Sequence, residues 1–196
     1  MVDNKVIDYF FKKAEIGEWD ELDIHRIEKK FNIKNSSLKN KITDKIFFLN
    51  YYNQEIDNIV LDSISKDDLS ISKPEEIIQE YMMNKLEIME KNKLGISNII
   101  NYYLNNPKFI LLSLKSSKRT INSFIDFFTV SENSLKKKLL VKSLIVVWLL
   151  AFNKWLYEDE ENNKSFAIID KGIKRIKKIT SLFEEINKKQ EFTLQE

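Results

Sequence analysis

Cysteine is absent from this chain of 196 residues. That excludes a disulfide framework, a thiolate zinc site and a cysteine nucleophile. Histidine occurs once, as His25, too few for a catalytic zinc site, and its place at the start of a short helix fits a surface or capping role. Glycine and proline number only three and two. So little punctuation leaves long uninterrupted runs and predicts an all-α fold. There is no Gly-x-Ser-x-Gly, no glycine loop that would cradle a phosphate, and no Ser-His-acid arrangement. An enzyme is not expected, nor is a cofactor or a metal. Charge of one sign is also missing: the net charge is +2, so any basic surface must be local. The N-terminus leads straight into an amphipathic segment without a signal-peptide pattern, and a cytoplasmic protein is expected.

What remains is apolar residues at 43% and charged residues at 32%, the balance of a folded, water-facing protein. Val6, Ile7, Phe10, Phe11 and Ala14 place one apolar stripe on a helix from about Asp3 to Ile16, ended by Gly17. Trp19 and Leu22 should pack the loop that follows. A long helix is predicted from Asp44 to about Ser65, with Thr43 as its cap. Ser72-Lys73-Pro74-Glu75 reads as the start of another that runs to about Lys91, with Ile77, Ile78, Tyr81, Met82, Lys85, Leu86 and Met89 inward. Gly95 reads as a break before a short helix from Ile96 to Leu104, and Pro107 as the break before a helix from Lys108 to Val130. The segment from Ser131 to about Glu158 is apolar on nearly every side. It is shorter than the ~20 apolar residues of a membrane span and should be buried on two sides. A last helix, about Lys164 to Asn187, contains Gly172, which suggests close approach by a neighbour.

Residues 26–49 carry the most specific pattern. Ile24, Ile27 and Phe31 lie at helical spacing, and Asn32 can take the left-handed geometry of a tight turn. Ile33 follows as an anchor. A second short segment begins after Asn35-Ser36-Ser37 and keeps Leu38 and Ile42 on one face. Two short helices about a tight turn make a helix-turn-helix. The second would show Lys34, Ser36, Ser37, Lys39, Asn40 and Lys41 outward, groups suited to phosphates and base edges.

This stretch resembles the TetR family of bacterial transcriptional regulators. The match runs without a gap through Ile27, Ile33, Ser37, Leu38, Ile42, Lys45 and Leu49. Glu28 and Phe31 stand where the family has alanines, and Asn32 where it has glycine. Lys39 stands where a phosphate-binding tyrosine is usual, and Ile42 where phenylalanine is. The resemblance implies an all-α fold of about nine helices, with a helix-turn-helix domain over residues 1–50. A helical ligand-binding and dimerisation domain over 51–187 and a frayed tail over 188–196 would complete it. It also implies double-stranded DNA as a partner, bound through Lys34, Ser36, Ser37, Lys39, Asn40, Lys41, Thr43 and Lys45. A homodimer through residues 131–158 and 164–187 follows, which Trp148→Glu or Leu144→Glu should disrupt or render insoluble. The function implied is a ligand-responsive regulator, a repressor. In such a body the middle helices enclose a pocket for an apolar or lipid-like ligand. Met82, Met89, Tyr103, Phe124, Phe128 and Trp148 are the candidates to line it. The C-terminal half is similar to alphaproteobacterial TetR-fold proteins that bind lipid as accessories of ubiquinone biosynthesis. That likeness rests on Trp155-Leu156-Tyr157-Glu158-Asp159 and Ile169-Asp170, and it implies the rival function: a lipid- or isoprenoid-binding accessory without operator binding.

Overall fold

Regular backbone starts where a side chain can satisfy the free amides of a first turn. Asp3 accepts from the Lys5 amide at 2.9 Å and opens helix α1, Asn4–Glu15. Asp23 accepts from the Arg26 amide at 2.9 Å and opens α2, Ile24–Lys30. The computed structural model describes residues 3–33, 38, 40, 42–64, 72–127, 134–159 and 162–193, and the backbone alone at 123–127, 134–136 and 180–193. A 3-10 turn, Lys45–Phe47, leads into α3, Phe48–Ser63. The remaining helices are α4, Pro74–Glu90; α5, Lys93–Tyr103; α6, Pro107–Phe127; α7, Ser134–Leu156; and α8, Asn163–Thr193. No strand occurs among the described residues. The all-α expectation therefore holds.

Three local expectations need correction. Asp44, not Thr43, caps the turn into α3: its acidic side chain accepts from the Ile46 amide at 3.2 Å. The α4 cap falls one residue later than predicted, because Glu76 reaches back to the Lys73 amide at 3.2 Å with Pro74 in the first turn. Gly95 is not a break. It lies inside α5, where a Cβ would come within 2.8 Å of the Phe11 ring and 3.2 Å of the Phe11 carbonyl. Glycine there permits α5 to lie directly on α1.

The chain divides into two compact units, Met1–Ile64 with Lys85–Thr120, and Ser65–Asn84 with Ile121–Glu196. The first is held by a run of aromatic rings. Phe10 stacks on Phe48 at 4.3 Å, and Phe11 meets Phe48 and Tyr52 edge-on at 5.0 and 4.7 Å. Trp19 extends the run to Tyr103, which stacks on Phe109 at 5.0 Å. Such pairs add about 0.5–1.5 kcal/mol each beyond their burial.

The second unit is built on the α7–α8 pair. Val141, Leu144, Val147, Trp148, Ala151 and Trp155 of α7 are buried, as are Ile169 and Ile173 of α8. Gly172 sits against Val147, whose methyl carbons would be 2.6 and 2.7 Å from an added Cβ; the predicted close approach is real. Glu158 joins the two helices, accepting from the Lys164 and Ser165 amides at the start of α8. Lys177 of α8 is paired with Glu75 at the start of α4.

Candidate nucleic-acid interface

The turn after α2 is completed by backbone bonds that need one left-handed residue. Asn32 supplies it, at φ +50°. The Ile33 amide donates to the Glu28 carbonyl at 2.9 Å and the Asn32 amide to the Lys29 carbonyl at 3.3 Å. Asparagine takes this geometry more readily than any branched residue, so it substitutes for the glycine usual at such turns. The same bonding ends α1, with Gly17 at φ +78° and the Glu18 amide on the Lys13 carbonyl at 2.9 Å.

The departures at Glu28 and Phe31 also have physical reasons. Glu28 is buried and accepts from the Leu38 amide at 3.0 Å, tying α2 to the chain beyond the turn. The Phe31 ring meets Tyr9 of α1 edge-on at 5.4 Å, and the Lys30 ammonium lies 3.9 Å from the centre of the Tyr9 ring. Beyond the turn, Leu38 and Ile42 are fully buried, and the Ile42 amide donates to the Leu38 carbonyl at 2.8 Å. Both anchors are inward as predicted, but among the described residues no helix occurs between α2 and the 3-10 turn, so this single bond is all that they show of the expected second helix.

Of the predicted DNA contacts, Asn40 and Thr43 are exposed. Arg26, Lys29 and Lys30 are exposed on α2. Lys34, Ser36, Ser37, Lys39 and Lys41 lie outside the described residues. Lys45 is turned inward: its ammonium donates to the Trp19 carbonyl at 3.1 Å, the Asp20 carbonyl at 3.0 Å and the Asp20 carboxylate at 3.5 Å. These acceptors match the three donors a lysine has. Asp20 in turn accepts from the Tyr102 hydroxyl of α5. Its carboxyl is held below the usual range, first by the Tyr102 hydrogen bond, which outweighs desolvation, and then by Lys45. The Tyr102 hydroxyl is pushed up to about 12, by that same bond and then by desolvation and the Asp20 charge. A polar latch thus ties the loop after α1 to α5 and to the start of α3.

Sequence reading missed this latch and a second polar node. Lys85 of α4 and Asp57 of α3 form a buried ion pair, and the Thr120 hydroxyl of α6 donates to the other oxygen of Asp57. Lys85 is 2% exposed. Burial pushes its ammonium down, against the pull of Asp57. Asn53 and Ser116 are in contact at 3.5 Å one turn away. A lysine predicted inward without a partner was the available signal.

Among the proposed pocket residues, Met82, Met89, Tyr103 and Trp148 are buried. Tyr103 belongs to the aromatic run of the first unit, and Trp148 stacks on Phe152 at 5.7 Å. The Phe124 side chain and Phe128 lie outside the described residues. A cleft of about 190 Å³ opens between α1 and α2, lined by Tyr9, Lys13, Asp23, Arg26, Ile27 and Lys30 among others. Charged side chains outnumber apolar ones in its lining, it lies between α1 and α2 rather than among the middle helices, and it is smaller than the ~300 Å³ at which small-molecule sites begin, so it is not the expected apolar cavity. No group of three or more potential metal ligands occurs among the described residues. Contrary to the expectation of a run too short to span and buried on two sides, Lys137–Leu156 is long and apolar enough to cross a membrane by length and composition, and only a third of it is buried.

No family model matches the sequence, and no curated protein matches it. Among solved structures, the chain is similar to the TetR transcriptional regulator from Nitrosomonas europaea ATCC 19718. The TM-score is 0.68 at 12% identity, over 88% of this chain and 96% of that one. The fold is TetR-like.

Proposed function

We propose that the protein is a homodimeric, DNA-binding transcriptional regulator. The observation that carries this reading is α2 with the tight turn and the buried anchors that follow it. The left-handed Asn32, the Glu28–Leu38 tie and the inward Leu38 and Ile42 are what a short second helix at this place requires, and Asn40 is exposed beside them. Likeness to a solved TetR regulator over most of the chain adds support. In the proposed complex, two such helices enter successive major grooves about 34 Å apart. Lys34, Ser36, Ser37, Lys39, Lys41 and Thr43 face phosphate or base edges, and Asn40 reads adenine through both edge groups. An apolar ligand that favours the non-DNA conformation releases the operator, so the protein acts as a repressor in the cytoplasm. Selection of bound fragments from a genomic library, followed by fluorescence anisotropy across a salt series, tests the proposal. Asn40→Ala should cost about 1–3 kcal/mol on the selected site and nothing on random DNA. No sequence preference by the unaltered protein would sink it.

One observation favours the rival, a lipid-binding accessory that has kept the fold and lost operator binding. Lys45, the residue the resemblance assigns to a phosphate, has its donors taken by Trp19 and Asp20. On our reading Lys45 instead positions the domain. Lys45→Met should then lower thermal stability and leave the salt slope of DNA binding unchanged. A phosphate contact would lower that slope by about 1.

A further inference from the structure

We propose that the outer face of α6, residues 107–119, docks on an anionic lipid bilayer surface. Ile110, Leu111 and Leu114 are 46%, 67% and 42% exposed. Positions three and four apart on a helix are neighbours, and Leu111 lies beside Ile110, so these side chains form one apolar strip. Lys115, Lys118 and Arg119 are exposed on the same outer arc, and Lys108, also exposed, holds its ammonium 5.3 Å from the centre of the Phe47 ring at the edge of that arc. No aspartate or glutamate occurs from Pro107 to Ile125. The four cations of this short stretch exceed the +2 of the whole chain, so the rest of the protein is net acidic and the field here is local. The opposite side of the helix is packed: Phe109, Ser116 and Ser117 are buried, and Phe109 is stacked on Tyr103. The helix cannot roll to hide its leucines.

The composition of the face selects its partner. Nucleic acid or an acidic protein would engage the cations and leave Leu111 in water. An apolar protein groove would take the leucines without needing four cations. Three apolar side chains are also far short of the ~800 Å² per partner that a stable protein interface buries. A bilayer surface with anionic headgroups takes both: leucines enter the acyl boundary while lysine stems extend to the headgroups. Each cation held near such a surface is worth about fivefold in partitioning. The proposal is independent of whether the protein binds an operator.

The full chain is sedimented with phosphatidylcholine vesicles, with and without phosphatidylglycerol. Binding should require phosphatidylglycerol. Leu111→Gln with Leu114→Gln should weaken it at least about tenfold, and so should Lys115→Glu with Lys118→Glu. All four positions are exposed, so thermal melts should match the unaltered protein. As a check that removes nothing buried, the Leu111→Trp variant should show a blue shift on adding the anionic vesicles, and only those, whereas the unaltered protein, whose three tryptophans are already buried, should show no change. Failure to sediment with them, full binding by the leucine variant, or no such shift in the Leu111→Trp variant each overturns the proposal. A loss confined to the charge variant would do the same, pointing to nucleic acid or an acidic protein.

Discussion

Asp20 is exposed, yet it gathers the Tyr102 hydroxyl and the Lys45 ammonium, and this sets a pH window. In the unfolded chain a tyrosine loses its proton near pH ~10 and an aspartate near pH ~4. Folded Tyr102 keeps its proton up to about 12, and folded Asp20 stays ionised below its usual range. A raised tyrosine pKa means the contribution is complete below the unfolded value and is lost as pH rises toward the folded one. A lowered aspartate pKa means it is complete above the unfolded value and is lost as pH falls through the folded one. The stability gap between the protein and its Tyr102→Phe variant should therefore be flat from about pH 5 to 9 and narrow outside it. Urea melts across pH measure this, and a gap that widened above pH ~10 would refute the latch. Lys85 makes the opposite case, a charge with no water to fall back on. Lys85→Met leaves the Asp57 carboxylate buried without its ammonium and should cost about 3–5 kcal/mol. Lys85→Met with Asp57→Leu should cost much less, since a buried pair can be exchanged for apolar residues at little loss. A double variant as unstable as the sum of the two single ones would count against a coupled pair.

At the scale of the element, periodicity made the helices legible. The α1 stripe and the predicted inward positions of α4 are buried as expected, Lys85 included. Asn32 and Gly17 were legible because few residues take a left-handed backbone. What periodicity could not show is which neighbour a helix meets. Gly95 looked like punctuation, but the ring that makes it necessary, Phe11, is remote in sequence. The latch was illegible for the same reason: Asp20 and Tyr102 meet only in the folded chain. The motif Trp155 to Asp159, read as a likeness to lipid-binding proteins, has a local explanation. Trp155 is fully buried, and Glu158 caps α8. Burial raises the Glu158 pKa, but the Lys164 and Ser165 amides, the Ser165 hydroxyl and Lys154 outweigh it and hold the carboxyl below its usual range. Gly172 supplies the sharpest test of the α7–α8 pair. Gly172→Ala puts a methyl into Val147 and should destabilise by about 1–3 kcal/mol despite the better helix propensity of alanine. Val147→Ala should relieve part of that cost in the double variant. Equal melting of Gly172→Ala and the unaltered protein would show that the helices are not packed so closely.

For the whole molecule the question is which side of α7 a second copy would cover. An apolar helix was expected to be buried on two sides, with Leu144 and Trp148 as the points to break a dimer. Those residues are 2% and 7% exposed within the protomer, so they belong to its own core. The opposite side carries Leu139, Val146, Leu149, Leu150 and, just beyond the helix, Tyr157, exposed between 38% and 66%. These positions follow helical spacing on a face shared with the exposed Lys142 and Asn153, and Val146, Leu149 and Leu150 form an apolar patch at its middle of the kind an interface covers. The two sets separate assembly from folding. Leu150→Glu with Val146→Glu should yield a monomer by sedimentation equilibrium, with helical content and a cooperative melt retained. Leu144→Glu should lose the melt itself, because a carboxylate would be forced into a packed core. A dimer that survives the double glutamate variant would remove α7 from the interface. An unaltered protein that sediments as a monomer at micromolar concentration would remove the dimer, and with it the paired recognition helices on which the DNA-binding proposal depends.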